Sequence, residues 1–333
     1  MASKLKTAFV CNECGSDYRK WQGQCTDCNA WNTLSEVKVN STPHGISRHQ
    51  HGFSGASSGS INLLKDVELD EVPRVKSGNS ELDLVLGGGF VPGSCVLLGG
   101  EPGAGKSTIL LQTLCHMAQN ETALYVTGEE SSQQVAMRAR RLDLPLDKLQ
   151  IMTETSVENI CLVAKGKTPR LLVVDSIQVV HLEDITSAPG SVSQVRESAA
   201  ALVRFAKQTN TILIIVGHVT KDGTLAGPKV LEHMIDCSLM LEGRKDSQYR
   251  TLRGIKNRFG AVNELGVFAM TERGLKGVPN PSAIFLQRNE EVSSGSIVVV
   301  IWEGTRPMLV ELQALVDDSL SLIHISEPTR PLR

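Results

Sequence analysis

An α/β chain built on a mostly parallel sheet is predicted by three observations. Ser94–Leu98 is an apolar run that leads into Gly100-Glu101-Pro102-Gly103-Ala104-Gly105-Lys106-Ser107, a complete G-x-x-x-x-G-K-[ST] phosphate loop, and helical spacing follows from Thr108 to Gln119. Leu171–Val174 and Thr211–Val216 are unbroken apolar runs ending in polar residues, the pattern of strands buried on both faces. Helical patterns such as Gln133–Leu142 and Ser193–Gln208 alternate with these strands. In the loop, Gly100, Gly103 and Gly105 let backbone N–H groups turn inward, and a helix opening at Lys106 adds its positive end, so a polyphosphate is held largely by main chain. Lys106 is placed to reach the β and γ phosphates, Ser107 to offer a hydroxyl to Mg2+, and Thr108 to cap the helix or touch the α phosphate. An ordinary glycine-rich turn is the bland alternative, disfavoured by the order of strand, loop and helix.

The 333 residues suffice for one large core and a smaller module. Lys+Arg number 34 and Asp+Glu 36, a net charge of −2, which excludes a global basic field; a nucleic-acid site must be a local patch. No stretch has the apolar length of a signal peptide or of a membrane span, so no membrane partner and a cytoplasmic location are expected. Of eight cysteines, four form Cys11-Asn-Glu-Cys14 and Cys25-Thr-Asp-Cys28, two C-x-x-C knuckles ten residues apart. Cys11, Cys14, Cys25 and Cys28 can present four thiolates to one tetrahedral ion, which predicts a closed, structural Zn2+ site over residues 1–35. A redox dithiol is the competing reading. Trp21 and Trp31 are expected to form the minimal core of this piece. Cys95, Cys115, Cys161 and Cys237, single in apolar contexts, read as buried thiols.

Residues 36–66, rich in Ser, Gly, His and Asn, read as a linker whose His44, His49 and His51 are solvated. The core is expected over 67–290. It opens with a short helix and a glycine-rich turn in Gly78–Gly93. The strand Thr122–Val126 then delivers Glu129 and Glu130 to the edge of the sheet, where a carboxylate can orient an attacking water. Ser131 caps the next helix, so one of the two glutamates is a helix-dipole partner, and Glu129 is the preferred catalytic group. Asp175, ending Leu171–Asp175, matches the second NTPase motif and supports Mg2+ through its water shell. His218 is either a γ-phosphate sensor or a plain strand-end histidine. Cys237–Glu242 and Gln248–Lys256 predict a hairpin. Arg244, Lys245, Arg250, Arg253, Lys256 and Arg258, against Asp246 alone, could form a patch that neutralises phosphates, although exposed hairpin charge is usually only solvating.

The two knuckles, the phosphate loop, Gly128-Glu129-Glu130-Ser131, the Asp175 strand, Gly217–Gly223 and above all Lys256-Asn257-Arg258-Phe259-Gly260 resemble the RadA (Sms) family of bacterial DNA-repair proteins, from Cys11 to about Asp317. The resemblance implies a RecA-like P-loop ATPase core with an N-terminal zinc ribbon, using ATP, Mg2+ and Zn2+. It further implies a homo-hexameric ring on single-stranded DNA, a motor that extends branch migration of recombination intermediates with the RecA recombinase. Lys256 and Arg258 then become catalytic candidates, cations at a subunit edge that enter a neighbour's nucleotide site, while the same loop can meet DNA. Ser187–Gln194 and Thr220–Gly227 occupy positions of DNA-contacting loops in RecA-like proteins. Members of the family continue into a domain that resembles the Lon protease fold without its activity. Residues 291–318 resemble the start of that domain, truncated here, with exposed apolar residues near Ile297–Ile301 as an association liability. Residues 319–333 depart from the family and read as a disordered tail of frameshift or sequencing origin.

Two other readings stay open at this point. One is a non-motor ATP-binding regulatory or phosphotransferase protein on the same core, disfavoured by the single phosphate loop. The other is a zinc-ribbon interaction module whose ATPase gates partner binding.

Overall fold

The computed structural model describes residues 6–11, 16–39, 74–218, 230–243, 247–286 and 295–314. Cys14, the linker histidines, Thr220–Gly227, Arg244, Lys245 and the 319–333 tail lie outside the described residues. The chain divides into two units, Met1–Pro279 and Asn280–Arg333.

At the N-terminus, β1 (Lys6–Cys11), β2 (Asp17–Tyr18) and β3 (Leu34–Val39) form an antiparallel sheet in the order β2-β1-β3. Its centre is Cys11, Cys25 and Leu34, with Phe9 and Tyr18 packed against them. The expected tryptophan core is incorrect. Trp21 and Trp31 are 57% and 68% exposed, because a centre drawn around sulfurs within 4.8 Å of one another has no room for two indoles. Both rings instead lie over Gly23, 3.8–4.0 Å from where a side chain there would begin.

The large core starts with α1 (Ser80–Val85), capped by the Asn79 side chain, and continues through β4 (Cys95–Gly100), α2 (Lys106–Met117), β5 (Ala123–Thr127), α3 (Ser132–Arg141) and β6 (Gln150–Thr153). Next come α4 (Val157–Lys167), β7 (Leu171–Asp175), α5 (Val192–Thr209), β8 (Ile212–Val216), α6 (Val230–Met234) and β9 (Cys237–Glu242). β10 (Tyr249–Asn257), β11 (Leu265–Thr271) and β12 (Gly274–Gly277) complete it. Among the described residues, these strands make a nine-stranded sheet, β12-β11-β10-β9-β4-β8-β7-β5-β6, parallel from β9 to β6 and antiparallel from β9 to β12.

Alternation along the strands divides the apolar residues between the two faces. Val96, Leu98, Tyr125, Val173 and Ile214 meet α2 and α3 through Ile109, Leu110, Leu114, Val135 and Ala139. Cys95, Leu97, Leu124, Leu172 and Ile215 meet α4 and α5 through Ile160, Ala199, Leu202 and Val203. With both faces covered, the strands can be apolar throughout, as the sequence patterns of β7 and β8 predict. β4 lies between β8 and β9, at the place where the chain changes direction across the sheet, so the loop after β4 opens into the crevice where such folds bind ligands.

The second unit contains α7 (Ser282–Phe285) and a hairpin of β13 (Ser296–Glu303) with β14 (Arg306–Gln313), paired from Ser296↔Gln313 to Glu303↔Arg306. Ile297, Val298, Val300, Ile301 and Trp302 are exposed on the hairpin, as the sequence suggests. Among the described residues no helix is long and apolar enough to cross a membrane.

Candidate nucleotide and metal sites

The phosphate loop forms where β4 ends and α2 begins. Gly105 is the N-cap of α2, at φ 107°, so a residue with a side chain would be strained there. Gly100 (φ 152°) passes so close to β9 that a Cβ would lie 2.4 Å from the Leu241 carbonyl oxygen. Between them run Glu101, Pro102, Gly103 and the buried Ala104. Lys106 is 5% exposed, and its Nζ donates to the carbonyl oxygens of Gly100 (2.7 Å) and Glu101 (3.0 Å). Burial holds its ammonium below the usual lysine range, while Asp175 and Glu129 pull in the other direction. Thr108 follows in the first turn of α2.

The neighbouring strand ends supply the carboxylates. Asp175, at the end of β7, accepts from Ser107 Oγ at 2.7 Å and from Tyr125 Oη at 2.6 Å. Ser107 and Asp175 thus present paired oxygens beside the loop, the hard donors that Mg2+ takes. Burial and the adjacent carboxylate raise the Tyr125 phenol, which stays a donor. Glu129 Oε1 accepts from Ser176 Oγ and lies 3.2 Å from His218 Nε2. Glu130 instead pairs with Arg138 of α3, and its backbone N–H donates to Thr127 Oγ1 at 3.0 Å. Ser131 and Gln134 complete a capping box. Of the two adjacent glutamates, one therefore joins the strand-end cluster and the other braces a helix.

Lys256 and Arg258 are elsewhere. β10 runs antiparallel to β9, so Asn257 pairs with Cys237 opposite Val96, at the edge of the sheet away from the phosphate loop. Lys256 Nζ donates to the carbonyls of Glu232 and Ile235, the latter at 2.8 Å. Burial, then Arg258, holds its ammonium below the usual range. Arg258 Nη1 donates to Asp236 Oδ1 at 3.0 Å. Arg74 reaches the same loop through the Phe259 carbonyl, and Asn257 Oδ1 accepts from Phe259 N at 2.9 Å.

Of the six basic residues that could form a patch on the hairpin, Arg244 and Lys245 lie outside the described residues. Arg250 folds onto the carbonyls of Ser247 and Tyr249 near the turn. Lys256 is six residues further along a strand that rises about 3.4 Å per residue, so these charges are strung along the hairpin and do not converge. In Ser187–Gln194, the Gln194 side chain turns inward and ties the carbonyls of Leu182, Ile185 and Ser187.

In the ribbon, the Sγ atoms of Cys11, Cys25 and Cys28 lie within 4.8 Å of one another, and Cys11 and Cys28 are 3.7 Å apart. Four sulfurs about 2.3 Å from a tetrahedral ion would be about 3.8 Å apart, so the donor set fits Zn2+. Hydroxyls support it: Tyr18 Oη lies 3.1 Å from Cys25 Sγ and Thr33 Oγ1 3.2 Å from Cys11 Sγ.

Sequence reasoning missed Tyr125, Ser176, Arg74 and Asp236. Tyr125 carries a signal in retrospect, a phenol in an otherwise aliphatic buried strand that must find a partner. Asp236 carries none, because its partners come from distant segments.

Comparison with known proteins agrees with this geometry. Residues 64–224 match the AAA domain family and residues 9–36 the rubredoxin metal binding domain. A KaiC-like protein of Pyrococcus horikoshii superposes at TM-score 0.53 with 23% identity, over 62% of this chain and all of that one, a likeness of fold. Fold and site define a P-loop ATPase of the RecA-like kind carrying a zinc ribbon, with ATP, Mg2+ and Zn2+ as its cofactors. The DNA repair protein RadA of Haemophilus influenzae is 63% identical over 320 residues, covering 96% of this chain and 70% of the relative. That of Escherichia coli is 62% identical over 323 residues, and that of Bacillus subtilis 46% over 315. The chain belongs to the RadA family and is an ATP hydrolase.

Proposed function

We propose that this ATPase drives a DNA-repair motor that acts on single-stranded DNA and promotes branch migration of recombination intermediates. In this reading it works with the RecA recombinase, as a cytoplasmic ring of six copies. The observation that carries it is the division of labour across one sheet. Ser107, Asp175 and Glu129 gather at the phosphate-loop edge, and the Lys256–Gly260 loop is braced at the opposite edge. A cation so far from its own loop can serve hydrolysis only in another subunit's site, which is what a ring supplies. The relatives' description as DNA repair proteins supports the same reading.

The roles follow from the chemistry. Residues Gly100–Thr108 cradle the triphosphate with backbone N–H groups, and Lys106 takes the β and γ oxygens. Ser107 and Asp175 would hold Mg2+ beside the loop, where the ion would neutralise phosphate charge. Glu129 orients the attacking water, with Ser176 and His218 holding its carboxylate. Lys256 and Arg258 stabilise charge on the neighbour's γ phosphate. Cys14 completes the Zn2+ ligands with Cys11, Cys25 and Cys28.

ATP turnover with and without single-stranded DNA, together with extension of RecA-made joint molecules, tests the motor. Turnover should rise with DNA and joints should lengthen. Unstimulated turnover would overturn the motor while leaving the ATPase in place.

A further inference from the structure

We infer that Arg74 is the positioning residue of the Lys256–Gly260 loop: its guanidinium clamps that loop to the glycine turn after α1 and so holds Arg258 where a neighbouring copy can use it. The inference rests on the reading that Arg258 acts in another subunit's site. It adds the group on the far flank of the loop that fixes where Arg258 stands.

The loop leaves the sheet and needs holding. Pairing of β10 with β11 ends at Arg253↔Leu265, while β10 continues along β9 as far as Asn257↔Cys237. Residues 258–264 therefore form a connection outside the ladder, and fixing them costs conformational entropy that ties to the rest of the core must offset. On one flank the tie is the segment after α6: Arg258 N donates to the Asp236 carbonyl at 3.0 Å and Arg258 Nη1 to Asp236 Oδ1 at 3.0 Å. Phe259 and Gly260 are held from the other flank.

That flank is Arg74. Its Nη2 donates to the Phe259 carbonyl, and its Nη1 donates to the carbonyls of Leu86 at 3.0 Å and Gly89 at 3.4 Å. Leu86 is the C-cap of α1, where carbonyls lack helical partners and a cationic side chain can supply them. The surfaces it joins touch each other. Gly87 has φ 76°, and a Cβ there would lie 3.3 Å from Gly260 Cα; a Cβ on Gly260 would lie 3.2 Å from Gly87 Cα. Asn257 spans the same seam, with Oδ1 accepting from Phe259 N at 2.9 Å and Nδ2 donating to the Val85 carbonyl at 3.5 Å. The base of the clamp is itself anchored, because Glu81 of α1 accepts from Val267 N of β11 at 2.9 Å.

The chemistry of the clamp suits arginine. A planar guanidinium carries its donors in a rigid fork, so one side chain can grip the α1 turn and the loop together, whereas an ammonium on a flexible stem fixes neither direction. Arg74 grips a loop at the edge of the sheet away from its own phosphate loop, so its effect on hydrolysis runs through Arg258. A cation that must arrive in another subunit's site is sensitive to placement, since an error of about 1 Å costs about 10²-fold in rate.

Calorimetric ATP binding and steady-state turnover of the full chain, alone and in mixtures, test this. Arg74→Ala should bind ATP as the unaltered protein does and hydrolyse it about 10- to 100-fold more slowly. Mixed with Lys106→Ala it should regain turnover above the sum of the two alone, because the intact phosphate loop of the first meets the well-placed Arg258 of the second. Mixed with Arg258→Ala it should regain none, because neither copy supplies a placed guanidinium. Arg74→Lys, which keeps the charge and loses the fork, should show the same pattern with a loss of about tenfold, and stands in for Arg74→Ala if that variant does not fold. A residue that only supported its own nucleotide site would give the reverse mixing pattern, and that result, or unaltered turnover in both Arg74 variants, would overturn the inference. The mixture of Arg258→Ala with Lys106→Ala separates the two layers. No recovery there would bring down the neighbour-site reading and the inference with it, whereas recovery there with the wrong pattern for Arg74 would remove Arg74 alone.

Discussion

Ser107 Oγ donates to Asp175 Oδ2 at 2.7 Å, joining side chains 68 positions apart in the chain. The contact brings the first turn of α2 against the end of β7, and the Tyr125 hydroxyl holds the same carboxylate oxygen from β5. Asp175→Asn keeps the shape and removes the charge. It should lower Mg2+-dependent turnover about 10- to 100-fold, the usual cost of losing a group that acts through a metal's water shell. A Mg2+ titration of steady-state hydrolysis should show the midpoint moving to higher concentration. Unchanged Mg2+ dependence would remove Asp175 from the metal's surroundings.

Glu129 and Glu130 make opposite predictions. Glu129→Gln should leave ATP binding near normal and cut hydrolysis by about 10²- to 10⁴-fold, the range for a positioned general base. Glu130→Gln loses only the partly exposed ion pair to Arg138, a change of about 1 kcal/mol or less in stability with little effect on turnover. Single-turnover hydrolysis alongside nucleotide binding separates the two. Similar losses in both variants would contradict the assignment.

These residues also show what a sequence can and cannot reveal. The phosphate loop, the β7 carboxylate and the clustered Cys11, Cys25 and Cys28 were legible because their chemistry lies in local spacing. The strand pattern was legible because helices cover both faces of the sheet and leave its strands uniformly apolar. Adjacency in sequence could not separate Glu129 from Glu130, since the choice depends on Ser176, His218 and Arg138 arriving from other elements. Trp21 and Trp31 misled for a related reason: large apolar residues usually make a core, but here the sulfurs occupy the centre. Nearness in sequence likewise could not show that strand geometry sets Arg250 well apart from Lys256.

Removing the metal should affect the ribbon first. A strong chelator should release one Zn2+ per chain and make the ribbon thiols reactive, while the buried Cys95, Cys115 and Cys237 stay silent until the core unfolds. Thiol counting with a chromogenic disulfide, before and after urea, checks the order. Early reaction of all the cysteines would show that ribbon and core do not unfold separately.

The buried Cys115 and Cys237 and the half-buried Cys161, which the sequence places in the core, also set an alkaline limit. Burial pushes Cys115 and Cys161 from 9.0 up to about 11 and Cys237 up to about 12. Their folded values lie above the unfolded ones, so the native chain keeps protons that the unfolded chain has lost. The stability they confer is complete below the unfolded value and is lost as pH rises toward the folded values, by up to about 1.4 kcal/mol per pH unit for each thiol. Urea unfolding near pH 8 and near pH 10.5 should show this decline. Cys237→Ala should lose less stability between the two conditions than the unaltered protein; an equal loss would assign the decline to other groups.

Arg258 has a structural tie that must be separated from any role in a neighbour's site. Asp236 is 2% exposed and accepts from Arg258 Nη1 at 3.0 Å, Lys207 Nζ at 3.1 Å and the Cys95 backbone N–H at 3.0 Å. Asp236→Ala strands Lys207 and the start of β4, so it should cost about 3–5 kcal/mol. Arg258→Ala leaves Lys207 on the carboxylate and removes a half-exposed partner, so it should cost about 1 kcal/mol or less. Its turnover should nevertheless fall steeply if the guanidinium works on the next subunit's nucleotide. Mixing Arg258→Ala with Lys106→Ala decides between these explanations. The first has an intact phosphate loop and the second an intact Arg258, so a junction between them contains one complete site, and turnover should exceed the sum of the two inactive proteins. Mixed assemblies that form and still fail to hydrolyse ATP would leave Arg258 as a brace for its own loop.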